Sequence, residues 1–111
     1  MMAEVKKDVQ EKINRLSTME QSLQSFLAQK QAFQSQLLEL NSALDELKKT
    51  DKAYRIVGNI MVDTDKAQLE KDISEKKEMM ELRIKSLEKQ ESKMREKTSE
   101  LQSEVMKEMS E

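Results

Sequence analysis

The sequence predicts a mostly helical fold in which a long antiparallel two-helix coiled coil is joined by one short β-hairpin. The chain has 111 residues and no Pro, and 38% of its residues are charged while only 3% are aromatic. This composition is typical of long helices that pack along a narrow apolar seam. Residues 53–62 are the exception, because they hold the single Gly and the single Tyr within a run of β-forming residues. The hairpin is therefore expected near the middle of the chain.

The first helix is expected over residues 4–49, where apolar residues recur with heptad spacing. With Met2 at position a, every a and d position up to Leu47 is apolar except Lys12 and Lys30. Such regular spacing argues against disorder, which the high charge content alone would allow. The pattern predicts a helix that buries one face against a partner.

The second helix is expected over residues 65–108. Asp65, with Gln68 three residues later, has the spacing of a capping box, and Thr64 is the alternative N-cap. From Ile73 to Val105 the d positions of this helix are apolar, but three of the a positions are polar: Lys77, Glu91 and Thr98. We therefore expect the seam to be tightest near the hairpin and to loosen toward the C-terminus.

The two predicted helices have matched lengths and a compact connection between them. This favours an antiparallel arrangement with both chain ends on the same side. The alternative is a continuous parallel coiled coil in which the helices run outward from the middle. The non-helical middle segment disfavours that alternative.

Residues 53–63 are expected to form the β-hairpin. Gly58 followed by Asn59 suits a two-residue type II′ turn between two apolar runs. This turn places Val57 opposite Ile60 and sets the register of the remaining pairs. Because apolar residues then fall on both sides of the strands, both faces of the hairpin are expected to be largely apolar.

A lone hairpin with two apolar faces is marginal in water, and its unpaired edges attract other strands. We therefore expect several hairpins to join into a larger sheet or barrel. The residues expected to mediate this assembly are Tyr54, Ile56, Val57, Gly58, Ile60, Met61 and Val62. The alternative is a loop that folds back onto its own helices, although these offer little surface to cover it.

The composition argues against an enzyme, a nucleic-acid-binding module and a membrane protein. There is no His or Cys, and the single Gly is used in the predicted turn, so no catalytic residue, metal site or cofactor is expected. Acidic pairs such as Glu100 and Glu104 fit a solvated helix face better than a cation site. The 20 basic and 22 acidic residues are interspersed, without the basic face that binds nucleic acid. No apolar run resembles a membrane span or a signal peptide, which favours a cytoplasmic protein.

Several of the nine Met residues lie at the predicted free ends of the helices. Met is flexible and polarisable, so it conforms to varied apolar surfaces. Frayed helix ends would leave a set of apolar residues partly exposed: Met2, Val5, Val9, Leu101, Val105, Met106 and Met109. The alternative is that these residues only continue the seam.

Ala53–Val62, which reads AYRIVGNIMV, and the following Asp65–Glu91 together resemble the β-class subunit of prefoldin, most of all its archaeal form. In architecture the resemblance covers residues 1–111 as a single domain. Its most specific parts are the hairpin and the first half of the second helix. An α-class subunit would carry two hairpins between its helices, so the one hairpin here favours the β class.

This resemblance implies a chaperone subunit. Prefoldin is a hexamer of two α-class and four β-class subunits, in which the hairpins build a β-barrel. Its coiled-coil arms hold unfolded polypeptides between their tips without ATP and deliver them to a group II chaperonin. The resemblance thus makes the apolar residues at the free ends the expected client-binding residues.

Two other functions are compatible with the same pattern. One is a structural coiled-coil subunit of a filament or of another prefoldin-like scaffold, without client binding. The other is a helical adaptor that binds one specific partner along its seam. The hairpin argues against the adaptor, which would have no need of it.

Overall fold

The structure, a computed structural model, describes residues 2–110, with side chains from residue 6 onward. The elements follow in the order α1 (Met2–Lys48), β1 (Ala53–Val57), β2 (Ile60–Thr64) and α2 (Lys66–Ser110). The two helices have 47 and 45 residues. The predicted fold class, two long helices joined by one hairpin, is confirmed. Neither helix, over residues 2–110, has an apolar stretch that would suffice to cross a membrane.

The heptad pattern of α1 defines its buried face as predicted. Every a and d position from Val9 to Leu47 is half-buried or buried, including Lys12 and Lys30, while most of the other positions are exposed. Leu47 is the most buried of them at 8% exposure. A narrow stripe of this kind is what two helices in contact along a seam produce.

The seam of α2 does not loosen toward the C-terminus, so that expectation was wrong. Leu101 and Val105 are each only 6% exposed, which makes them more buried than Met80. Toward the C-terminus, the polar a positions Glu91 and Thr98 do not open the seam, because their polar groups have partners. The hydroxyl of Thr98 donates to the carbonyl oxygen of Met94 at 2.7 Å and is thereby satisfied within its own helix.

The described residues divide into two compact units. The terminal unit combines α1 up to Lys30 with α2 from Ser86 onward, and the hairpin unit holds residues 31–85. In the terminal unit, contacts join Lys12 to Glu108, Met19 to Thr98 and Lys30 to Glu91. Because the residue number rises along α1 as it falls along α2, the helices are antiparallel there.

In the hairpin unit, the guanidinium of Arg83 on α2 lies over the ring of Phe33 on α1, 5.7 Å from the ring centre. This is within the range of a cation–π contact. Met80, Ile84 and Leu47 are buried in the same unit. The helices therefore contact each other in both units, as the heptad pattern requires.

The hairpin has the predicted register. Val57 pairs with Ile60 and Ile56 with Met61, and the ladder ends at the pair Ala53–Thr64. Gly58 has a φ of +62°, and no other residue in the described chain has positive φ. A type II′ turn requires positive φ only at its first central residue, so the geometry matches the predicted turn.

The N-terminus of α2 is capped by local hydrogen bonds. Asp65 is the N-cap of α2: its Oδ1 accepts from the backbone N–H of Ala67 at 3.3 Å, and its carbonyl oxygen accepts from the N–H of Leu69 at 3.0 Å. Gln68 does not complete a capping box, because its amide donates to Asp72 instead. Asp65 was thus correctly predicted as the N-cap. The capping box is incomplete, because only the Asp65 side chain bonds to a free backbone group of the first turn.

Candidate functional site

The hairpin presents an exposed apolar surface, which we call the hairpin surface. All the side chains predicted to mediate assembly are exposed, with Ile56 at 72% and Met61 at 67%. The set comprises Tyr54, Ile56, Val57, Ile60, Met61 and Val62. Only Ala53, at the base of the hairpin, is buried. The hairpin therefore does not fold back onto its own helices, and the alternative of a covered loop was wrong.

Both faces of the hairpin contribute to this surface. Val57 and Ile60 lie on one face, and Ile56 and Met61 lie on the other, because paired residues share a face and neighbours along a strand alternate. The sheet has two strands within residues 2–110, so each strand has an edge without a neighbour there. Apolar surface on two faces with open edges is characteristic of an association site.

An ion pair connects the hairpin to α2. Arg55 Nη2 donates to Asp72 Oδ2 at 2.9 Å, while Gln68 Nε2 donates to Asp72 Oδ1 at 2.9 Å. Both oxygens of the carboxylate are therefore engaged. These two hydrogen bonds, first that from Gln68 and then that from Arg55, hold the pKa of Asp72 below its usual value. Arg55 thus links β1 to the second turn of α2 through an exposed ion pair, and sequence reasoning did not identify this contact.

Apolar residues at the free ends fall into two groups. Met106 and Met109 are exposed at 72% and 68%, so the predicted exposure of these two residues is confirmed. Leu101 and Val105 are buried in the seam, so the expectation that fraying exposes them was wrong. They occupy d and a positions that face α1, whereas Met106 and Met109 follow at positions b and e, outside the seam.

The remaining predicted end residues lie on α1. Val9 is half-buried at an a position. The side chains of Met2 and Val5 lie outside the described residues. Ile13 follows Lys12 in the sequence and was not among the predicted end residues, but it is exposed at 38% next to the seam. Its heptad position e would have identified it, since that position borders the seam without entering it.

The terminal unit also contains charged groups inside its seam. Lys12 is hydrogen-bonded to Glu108, and this bond raises the pKa of Lys12 above its usual value. Lys30 donates to Glu91 at 3.1 Å. Hydrogen bonds from Arg95 and then from Lys30 hold the pKa of Glu91 below its usual value. Among the described residues, no group of three or more acidic side chains is arranged to hold a metal ion.

Comparisons with known proteins agree with this architecture. The family model described as "Prefoldin subunit" matches residues 10–111. The prefoldin subunit beta of Methanospirillum hungatei is 37% identical over 111 residues, which cover 97% of this chain and 92% of the relative. That of Archaeoglobus fulgidus is 38% identical over 104 residues, covering 91% and 90%.

A solved structure shows the same arrangement of elements. The crystal structure of the prefoldin beta subunit from Thermococcus strain KS-1 matches with a TM-score of 0.83 at 35% identity, covering 90% of both chains. The resemblance carried by the hairpin and by the first half of α2 is thereby confirmed along most of the chain. The chain therefore belongs to the prefoldin family of chaperone subunits, and within it to the β class.

Proposed function

We propose that this chain is a β-class subunit of an ATP-independent holdase that assembles through the hairpin surface. The observation that carries the proposal is the exposure of six apolar side chains on a two-stranded sheet with open edges. Left in water, such a surface would promote aggregation, so a stable protein must cover it. Pairing with the hairpins of other subunits covers both faces and both edges at once.

The partner subunits follow from the family. The assembly proposed is a hexamer of two α-class and four β-class subunits in which the hairpins close into a barrel. Closure into a barrel removes free strand edges, which an open sheet of hairpins would keep. Arg55 and Asp72 would hold each hairpin at a fixed angle to α2, so that neighbouring hairpins meet in register.

Unfolded clients are proposed to bind at the helix ends of the terminal unit. Met106 and Met109 are exposed there and adapt to varied apolar segments. Met2, Val5 and Val9 extend the proposed contact set on α1. Leu101 and Val105 are placed beneath it, where they support the helix from the seam. Several such ends in one complex would give weak contacts avidity, because linked sites multiply their affinities.

After capture, the complex would deliver its bound client to a group II chaperonin in the cytoplasm. Capture needs no nucleotide, because the chain has no Gly-rich phosphate loop and its single Gly forms the hairpin turn. A client held by many weak contacts is released stepwise as another chaperone takes over its apolar segments. Release therefore requires no chemical energy.

The test of client binding uses matched surface substitutions in the complex formed with an α-class subunit. Met106→Ser/Met109→Ser removes two exposed side chains at the helix ends, and Leu38→Ser/Leu82→Ser removes two equally exposed ones from the hairpin unit. Both variants are expected to keep the mass of the intact complex. Only the Met variant is expected to lose its protection of an unfolded test protein against aggregation, measured by light scattering.

Two results would contradict this assignment. If the Met variant protects as well as the intact complex, the client surface lies elsewhere. If the intact complex assembles fully but never protects, the structural scaffold is the correct function. Substitution is preferable to truncation here, because removing residues 101–111 would also delete the buried Leu101 and Val105.

A further inference from the structure

Two lysines interrupt the apolar seam of α1 in the terminal unit, and each meets a carboxylate of α2. Lys30 Nζ lies 3.1 Å from Glu91 Oε2, with only 20% and 15% of the two side chains exposed. Lys12, with 18% of its side chain exposed, is hydrogen-bonded to Glu108 and lies 3.6 Å from Glu104. In the terminal unit, the charged interruptions of the two helices therefore coincide.

The signs of the seam charges are sorted by helix. Within the terminal unit, the charged a and d positions of α1 are Lys12 and Lys30, and those of α2 are Glu91 and Glu108. Each helix thus carries one sign in its seam, and its partner carries the other. A segment of α1 and a segment of α2 are complementary, whereas two segments of the same kind are not.

One member of each pair is also bound by a side chain of its own helix. Glu91 Oε1 accepts from Nε and Nη2 of Arg95 at 3.1 and 2.9 Å, which leaves Oε2 for Lys30. Asp8 Oδ2 lies 3.3 Å from Lys12 Nζ on the same helix. Glu91 and Lys12 are therefore restrained within their own helices, which lowers the side-chain entropy lost when the helices pair.

Stability alone does not account for these charges. Replacing a buried ion pair with apolar residues is often neutral or stabilising, because charges lose hydration when they are buried. Here Glu108 Oε2 is buried and accepts no hydrogen bond from any described residue, a cost that an apolar side chain would avoid. A charge in such a position does discriminate between partner helices, since a buried charge without its partner is strongly unfavourable.

We propose that the Lys12–Glu108 and Lys30–Glu91 pairs determine which helix each helix binds. They favour contacts between α1 and α2 and disfavour contacts of α1 with α1 or of α2 with α2 from another copy. This inference goes beyond the proposed chaperone function and does not depend on it. In any assembly that brings several copies together, such pairing ensures that each coiled coil is formed by one α1 and one α2.

The test reverses the seam charges of one helix at a time. Lys12→Glu/Lys30→Glu places carboxylates on both sides of the seam, and Glu91→Lys/Glu108→Lys places amines on both sides. Each full-length variant is expected to melt at a lower temperature than the wild type. Mixed and refolded together, the two are expected to pair in trans, because α1 of each is then complementary to α2 of the other.

Spin labels detect this exchange directly, because the chain has no Cys of its own. One label is placed at Gln21→Cys in the first variant and the other at Ser99→Cys in the second, both at exposed positions. The mixture is expected to show an interchain distance equal to the distance between both labels in one wild-type chain. A single chain that carries all four reversals is expected to recover the wild-type distance within itself.

The control is Lys6→Glu/Lys7→Glu, which makes the same change in net charge at exposed positions of α1 outside the seam. It is expected to keep both the wild-type melting temperature and the wild-type distance. The proposal is overturned if the seam variants also keep both, or if their mixture shows no interchain distance. If a seam variant does not fold alone, the proposal still requires its helical circular dichroism to recover when it is mixed with the other seam variant.

Discussion

The hairpin surface and the helix ends of the terminal unit both expose apolar side chains, but the chemistry of these side chains differs. The hairpin surface is rich in β-branched residues such as Ile56, Val57 and Ile60, held by a backbone ladder with one register. The helix end exposes Met106 and Met109, whose unbranched side chains rotate freely. Stiff side chains on a fixed scaffold suit one permanent partner, and pliable ones suit many transient partners.

The largest expected effect comes from breaking the hairpin surface. Ile56→Lys/Ile60→Lys places one charge on each face, and burying either charge in a barrel would be strongly unfavourable. We expect the complex to dissociate completely, while helical circular dichroism persists because neither residue belongs to the seam. Leu38→Lys/Leu82→Lys, with two charges elsewhere in the hairpin unit, is the matched control and should assemble normally. A hairpin variant with the native mass by light scattering would exclude this surface from assembly.

The second expected effect separates the buried from the exposed residues of the helix end. Leu101→Ala should lower the free energy of unfolding by about 2–5 kcal/mol, because it leaves a cavity in the seam. Met106→Ala, five residues away and exposed, should change it by less than about 0.5 kcal/mol. Denaturant unfolding of the two variants measures the difference. Equal effects would mean that the seam is open at this end after all.

The smallest expected effect concerns the ion pair between Arg55 of the hairpin and Asp72 of α2. Because the pKa of Asp72 is lowered in the folded chain, its carboxylate stabilises the fold above the usual carboxyl pKa of 3.8. That contribution should fall as the pH drops below 3.8 and through the lowered folded value. We expect Asp72→Asn to melt slightly below the wild type at neutral pH, with the difference vanishing in acid. A difference that stays constant with pH would show that the Asp72 carboxylate is not responsible.

Local patterns predicted the elements and the hairpin correctly. The heptad spacing located both seams, and the Gly58-Asn59 pair gave the turn type and therefore the register of every strand pair. These features depend on residues close together in the chain. Asp65 was identified as the N-cap for the same reason.

Features that depend on a distant partner were missed. When α1 is considered alone, Lys12 and Lys30 only interrupt its apolar seam. In the structure, Glu108 and Glu91 of α2 lie beside them. The burial of Val105 likewise depends on α1, which a helix considered alone does not reveal. Periodicity reports which face of a helix is buried, but the strength of the seam is decided by the pairing of both helices.

The central claim, that the two apolar surfaces have separate partners, is tested most directly by site-specific photo-crosslinking in the assembled complex. A photoreactive side chain is placed at Ile56 or at Met106, both exposed at 72% in the single chain, and an unfolded client is added before irradiation. We expect Ile56 to crosslink to neighbouring subunits and never to the client, and Met106 to crosslink to the client. Crosslinks from Ile56 to the client, or none from Met106, would contradict the separation of assembly from capture.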